Sequence, residues 1–245
     1  MRETVSIHVG QCGNQIGSAF WDLLLLEHER TPDNDMALSS FFCFSPSPSH
    51  GNKRVMKARA LLVDMECGVL QETMKGPLAD LFDQHQYLYD VSGAGNNFAQ
   101  GYYQYGPQYR EKIVEGLRHN AEQCESLQTY LVTHSLGGGT GSGVGSYLLG
   151  VLSDEYPKVA RFAMSVFPSG DSDVITSPYN TVLATQQLLE HCDCVFPVRN
   201  QALYSFYQAE HGPAKAEVEN QGGGSKSKRS RGFDEVRSIN VYGYE

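Results

Sequence analysis

LVTHSLGGGTGSGVGSYLLGVL, residues 131–152, is the stretch whose reading decides the fold. It opens as a buried strand and ends as an amphipathic helix with Leu148, Leu149, Val151 and Leu152 on its apolar side. Between the two lies a glycine turn. Gly137, Gly138, Gly139, Gly141 and Gly143 leave the backbone free to take positive φ and to approach a ligand with no Cβ in the way. Thr140 and Ser142 stand where the helix begins and add hydroxyl donors to the unpaired N–H groups of its first turn. A strand, a glycine turn and a helix N-terminus together form an anion site, since free amides and helix dipole both favour negative charge. The expectation is a cradle for nucleotide phosphates. Five glycines in seven residues are costly to order, which weighs against a turn built for tightness alone.

The stretch has no GxxxxGK[ST] pattern, and no lysine lies inside the turn to offset phosphate charge. The dinucleotide fingerprint G-x-G-x-x-G is not cleanly met either. Amides, the helix dipole and a bound divalent cation must therefore balance the charge. A rival reading exists at the same place. Thr133-His134-Ser135-Leu136-Gly137 resembles the nucleophile elbow of a lipase-type serine hydrolase, with Ser135 as nucleophile. That elbow wants a small residue where Thr133 stands, and the nominal partners Asp154, Asp173, His191 and His211 are of a kind any chain this size offers.

Composition sets the outer bounds. The chain has 245 residues, 40% hydrophobic and 19% charged, enough to bury a substantial core in one large domain or two small ones. A net charge of −9 argues against a general nucleic-acid binder. No apolar run approaches the ~20 residues that span a bilayer, and MRETVSIHVGQCG lacks the apolar region and cleavage site of a signal peptide. Neither nucleic acid nor membrane is expected as a partner. Cys12, Cys43, Cys67, Cys124, Cys192 and Cys194 are sparse and lie mostly within apolar segments, which suits reduced cytosolic thiols.

Other strand–turn–helix units flank the central one. Thr4 to Val9 alternates as a first strand, followed by the polar turn Gly10 to Gln15 and a helix carrying Ile16, Phe20, Trp21, Leu24 and Leu25. His8 reads as a packed core histidine, and Gln11 is placed to reach a phosphate or a metal-bound water. Thr31 to Arg59 is poor in periodicity, Ser45 to Asn52 is a loop by composition, and Phe41-Phe42 reads as a cover over the core. Ala60 to Val63 is a buried strand ending at Asp64 and Glu66, either of which could hold the hydration shell of Mg²⁺. Tyr87 to Val91 leads into a third glycine turn in which Asn96 and Asn97 can donate to phosphate and tolerate left-handed backbone. Tyr109 to Cys124 is an amphipathic helix, and Ala160 to Phe167 another buried strand with an acidic loop after it. Thr176 to Asn180 starts a helix with Pro178 at an early position. His191, Cys192 and Cys194 lack zinc-ligand spacing. Asn200, opening a last helix, offers a donor and an acceptor suited to a base edge. Beyond Gly212 the run GGGSKSKRSR is a flexible basic segment.

These repeated units define an α/β fold, a doubly wound, mainly parallel sheet with helices on both faces. GQCGNQIG (10–17), DMECGV (64–69), SGAGNNFAQG (92–101), GGGTGSGVGSYLL (137–149) and SDVITSPYN (172–180) resemble, in order, the nucleotide loops of the tubulin family. GGGTGSG at 137–143 is similar to that family's signature motif. Phe41-Phe42 and the run from Pro168 to Asn180 most resemble its epsilon members, of centrioles and basal bodies. The resemblance implies a tubulin/FtsZ-type domain that binds GTP or GDP with Mg²⁺. It implies that Gln11 and Cys12 meet the β-phosphate side, and that Glu66 acts through Mg²⁺ and water near the γ-phosphate. Ala94, Gly95, Asn96, Gly138, Gly139, Thr140 and Gly141 would cradle phosphates. Ser135 would face ribose or phosphate, Asp173 the ribose, Asn200 the guanine, and Phe233 would stack on the base.

The same resemblance implies other tubulin subunits and centriolar or microtubule proteins as partners, in a cytoplasmic, cytoskeletal setting. It divides the chain into a GTP-binding domain (1–211), a flexible basic insertion (212–232) and the start of a central helix (233–245). Departures accompany it. Ser177 stands where many tubulins carry a ribose-binding glutamate, and Arg237 falls where a second guanine-reading asparagine would be. The chain stops at Glu245, before the intermediate and carboxyl-terminal domains and the loop that promotes hydrolysis on a neighbouring subunit. Weak or no GTPase activity and poor solubility from an exposed core face are the expectations.

Overall fold

Alternation along residues 3–9 puts Val5, Ile7 and Val9 on one face of a strand and Ser6 and His8 on the other, and all five are buried. A strand covered on both faces belongs at the centre of a sheet with helices above and below. The computed structural model, which describes residues 2–30, 35–46, 54–169 and 174–211, has that arrangement. The strands are β1 (Glu3–Val9), β2 (Phe42–Pro46), β3 (Arg54–Ala58), β4 (Ala60–Asp64), β5 (Tyr87–Tyr89), β6 (Leu127–Ser135), β7 (Ala160–Phe167) and β8 (Cys194–Arg199). The helices are α1 (Gly10–Arg30), α2 (Asp35–Phe41), α3 (Gly68–Lys75), α4 (Gly106–Glu122), α5 (Gly145–Glu155), α6 (Ser177–His191) and α7 (Asn200–His211).

The large sheet has six strands in the order β5-β4-β1-β6-β7-β8, and every pairing within it is parallel. Ile7 sits between Leu61 and Val132 in register. Strand order runs outward in opposite directions from β1 and β6, so the crevice for a ligand opens at the carboxyl ends of those two strands.

Each face has its own core. On one, Val5, Ile7, Leu61, Val63 and Val132 meet Ile113 and Leu117 of α4, Leu148 and Leu152 of α5, and Leu188 of α6. On the other, Trp21 of α1 packs with Leu62, Phe42, Leu70 and Phe82. His8 accepts from the Trp21 indole N–H at 3.2 Å, the packed role expected of it. Large apolar side chains left in the open gather on α6, β8 and α7, among them Val182, Leu189, Phe196 and Phe206.

Several expectations need correction. Ser45 and Pro46, read as loop, end strand β2, and the aperiodic stretch from Thr31 to Arg59 carries secondary structure. It forms α2 and an antiparallel hairpin in which Cys43 pairs with Lys57 and Phe44 with Met56. Segments of five to seven residues, broken by Ser-Pro pairs, are too short to carry a visible period. Phe41 and Phe42 do cover the core, edge-on to Trp21 at 6.5 and 5.4 Å between ring centres.

The polar turn after β1 is already helical, since α1 starts at Gly10. The glycine turn after β6 is likewise helical: Thr140–Val144 is a wide π-type turn running into α5, and Gln100–Tyr105 forms another ahead of α4. None of the five glycines from 137 to 143 has positive φ; Gly10, Gly93, Gly95 and Asn96 do. Glycine is needed at 139, 141 and 143 for close approach instead. A Cβ on Gly143 would lie 2.5 Å from the Phe98 carbonyl and 2.8 Å from Gly101 Cα, where the two π-type turns pack backbone to backbone. The basic run, Phe233 and Arg237 lie outside the described residues, as do the boundaries drawn at 212 and 233.

Candidate functional site

The carboxyl ends of β1, β4, β6, β7 and β8 surround a cleft of about 440 Å³, a volume within the usual range for small-molecule sites. Every described residue to which the family resemblance assigns a nucleotide contact lines it. Gln11 and Cys12 come from the first turn of α1, Glu66 from the end of β4, and Ala94, Gly95 and Asn96 from the third glycine turn. Ser135, Gly138, Gly139, Thr140 and Gly141 come from the central turn, and Asn200 from the start of α7. Asp173 and Phe233 lie outside the described residues.

Backbone contacts hold these turns against one another. Gly10 takes φ +75°, and a Cβ on it would fall 3.0 Å from Gly141 N, so α1 starts in contact with the central turn. A Cβ on Gly139 would fall 2.6 Å from both the Ala94 carbonyl and Asn97 N. Gly138 differs, because nothing lies closer than 3.8 Å to its Cβ position, which Asn96 Oδ1 and Ser135 Oγ flank. Asn180 of α6, 3% exposed, binds the third turn and the central turn together through its side-chain amide. Thr176 Oγ1 adds a bond to the Asn96 carbonyl at 2.6 Å.

Four helical N-termini open onto this space, beginning at Gly10, Thr140, Ser177 and Asn200. No acidic residue occupies the first turn of any of them. Neither the Thr140 turn nor α6 has a side-chain cap. Each therefore presents first-turn N–H groups and a positive dipole end to the cleft. Among the described lining residues there is no lysine or arginine, and the charged side chains are Asp64 and Glu66. The cleft attracts anions through its main chain.

Some assigned roles shift. Ser142 is no cleft donor, because it is fully buried and gives its hydroxyl to the Gly138 carbonyl. Asn97 Oδ1 accepts from Ala99 N at 2.9 Å and shapes the turn. Burial pushes the Cys12 thiol up to about 12, so it packs as a neutral group. Asp64, 3% exposed, accepts from the Glu66 N–H at 3.2 Å, whereas Glu66 is exposed on the cleft wall. Among the described residues no group of three or more His, Cys, Asp and Glu is arranged to hold a metal. One exposed carboxylate beside a phosphate cleft still suits Mg²⁺, which keeps most of its waters.

The hydrolase reading of Ser135 finds no support. Among the described residues no hydrogen bond joins Ser135 to a histidine. His134 is wholly buried beneath the turn, bonded to the Gly141 carbonyl at 2.8 Å and to Ser165 at 2.9 Å. His191 packs near Gly150 of α5 instead.

The structure also adds residues the sequence did not single out as contacts. Val166 to Ser169, Val174, Gln201 and Tyr204 line the cleft. Tyr204 stands one helical turn after Asn200, a spacing that alone could have placed it on the same face. Ser177, noted only as a departure, is 2% exposed and its Oγ has no partner among the described residues. Asn200 Oδ1 is likewise buried and has no partner among them.

Comparison with protein families matches residues 3–208 to the Tubulin/FtsZ family, GTPase domain. Among curated proteins, the chain is 51% identical over 215 residues to the tubulin epsilon chain of Mus musculus and 50% identical to that of Homo sapiens. Each match covers 83% of this chain and 45% of the relative. The tubulin alpha-1 chain of Saccharomyces cerevisiae is 43% identical over 214 residues, 83% of this chain and 47% of its own. The chain thus spans about half the length of the curated relatives it matches.

Proposed function

The chain belongs to the Tubulin/FtsZ family, and from that premise we propose that its cleft holds a guanine nucleotide, GTP or GDP, as part of a tubulin-type cytoskeletal protein. The observation that carries this reading is the meeting of four helical N-termini, none with an acidic first turn, in a cleft that has no cationic side chain among its described residues. Phosphate oxygens are the ligand chemistry such an arrangement favours. The turns at Ala94–Asn96 and Gly138–Gly141 take the phosphates, with Gln11 beside them. Asn200, with its unpaired Oδ1, reads the guanine edge, and Tyr204 offers a ring next to it. Asp173 and Phe233 keep the ribose and stacking roles proposed from their motifs.

Mg²⁺ is part of the proposal. Bound to the nucleotide, it supplies charge neutralisation at the terminal phosphates. Glu66 would hold one of its waters, and Gly93 leaves that carboxylate its room: with φ +66°, a Cβ there would lie 2.4 Å from Glu66 Oε1. The proposed partners are other tubulin subunits, in centriolar or basal-body assemblies as the epsilon resemblance suggests.

Calorimetric titration of the 245-residue chain with GTP, GDP and ATP, with and without Mg²⁺, tests this. GTP and GDP should bind at least about tenfold tighter than ATP, the effect of one base-edge pairing. Equal affinity for ATP would remove the guanine assignment, and no binding of any of the three would remove the nucleotide site.

A further inference from the structure

The wide turn Thr140–Val144 has a local cause. In an α-helix the Gly145 N–H would bond to the Gly141 carbonyl four residues back. Here it bonds to the Thr140 and Ser142 carbonyls and passes over Gly141. The Gly141 carbonyl instead faces His134 Nδ1 at 2.8 Å. The imidazole lies against the turn so closely that a Cβ on Gly145 would fall 2.9 Å from Nδ1. A side chain inserted into the ladder is a recognised way to open a helical turn.

Partner chemistry fixes the tautomer. A carbonyl only accepts, so Nδ1 carries the proton, and Nε2 accepts from the Ser165 hydroxyl at 2.9 Å. Both His134 and Ser165 are wholly buried. We propose that His134 is a positioning residue for the anion site: its Nδ1–H takes the Gly141 carbonyl out of the helical ladder and holds the central turn open, with Thr140 and Gly141 on the cleft wall. Ser165, through its bond to Nε2, holds the ring in the orientation that does this. The assignment rests on the nucleotide reading for its consequence, though not for its geometry.

A long-range ¹H–¹⁵N spectrum of the intact chain should show His134 protonated at Nδ1 and bare at Nε2; the opposite tautomer overturns the proposal. Asparagine places an amide nitrogen close to where Nδ1 stands, whereas glutamine places it one bond further out. His134→Asn should therefore hold GTP, with Mg²⁺ present, within about threefold of the parent, and His134→Gln should lose about tenfold, the loss of one buried hydrogen bond. Equal affinities in both variants overturn it. Should either fail to fold, Ser165→Ala decides: the Gly141 carbonyl should keep the proton on Nδ1 while loss of the hydroxyl that steadies the ring weakens GTP about three- to tenfold. Either a proton moved to Nε2 or an unchanged affinity overturns the proposal. A parent chain that takes up no GTP ends the nucleotide reading alone, and the tautomer then decides the clamp.

Discussion

Asn180 donates from Nδ2 to the main-chain carbonyl of Asn96 at 2.9 Å, across 84 positions of sequence. The same amide reaches the Gly137 carbonyl at 2.7 Å, and Oδ1 accepts from the Phe98 N–H at 3.0 Å. One buried side chain thus joins two ligand turns to α6. Asn180→Ala leaves those groups unpaired and should cost about 2–4 kcal/mol of folding stability. Urea unfolding checks it, and a loss below about 1 kcal/mol would mean that water replaces the amide without penalty.

Adjacent glycines should behave oppositely. Gly139→Ala forces a methyl into the Ala94 carbonyl and Asn97 N, so the fold itself should suffer. Gly138→Ala meets nothing within 3.8 Å, so stability should stay within about 0.5 kcal/mol while the methyl occupies cleft space and weakens GTP. Thermal melts paired with titrations separate the two, and a Gly138→Ala protein that binds GTP like the parent would show that no ligand comes near that position.

Parallel strands and glycine turns were legible because each has a local signature: Val5, Ile7, Leu61 and Val63 alternate, and the turns carry their own composition. The convergence of Gln11, Asn96, Thr140 and Asn200 was legible too, through the order of the motifs. What the glycines do was not. Positive φ and close approach leave the same letter in the sequence, and the second applies at Gly139 and Gly141, where the clashing atoms belong to Ala94 and Ser135. The hairpin of β2 and β3 escaped because each strand has only five residues, and the contact of Phe42 with Trp21 of α1 leaves no period in the sequence. Tyr204 escaped because exposure on an end helix looks the same with or without a ligand.

Ser177→Ala removes a buried hydroxyl that has no partner among the described residues. Deleting an unpaired polar group should leave folding stability unchanged or raise it by about 0.5–1 kcal/mol. If that hydroxyl awaits a nucleotide oxygen, GTP affinity should fall several-fold in the same protein. A parallel loss of stability would instead reveal a packing role.

Glu66→Gln keeps the size of the side chain and removes its charge. The parent should bind GTP more tightly when Mg²⁺ is added, and the variant should show a smaller gain, with metal-free affinity equal or better because a negative charge near the phosphates is gone. Titrations in EDTA and in Mg²⁺ give the two gains, and equal gains would place the metal's water elsewhere.

Acid should loosen the fold through His8. Burial lowers its pKa from the ordinary 6.5 to about 4. Above pH 6.5 both folded and unfolded chains hold it neutral. Between 6.5 and 4 only the unfolded chain takes the proton, so stability falls with pH, by about 3 kcal/mol across the window from this group. His8→Gln keeps an acceptor for the Trp21 indole and should flatten that part of the slope. Urea midpoints at pH 7, 5.5 and 4 compare the two, and identical slopes would assign the acid sensitivity elsewhere.

A binding surface made of peptide groups has an unusual kind of durability. Exchanging one side chain for another can obstruct such a surface, as at Gly138, or slacken the frame beneath it, as at Asn180. No exchange short of proline deletes a main-chain N–H, so its pull on a negatively charged guest outlasts sequence drift that would disarm a lysine-based pocket in one step.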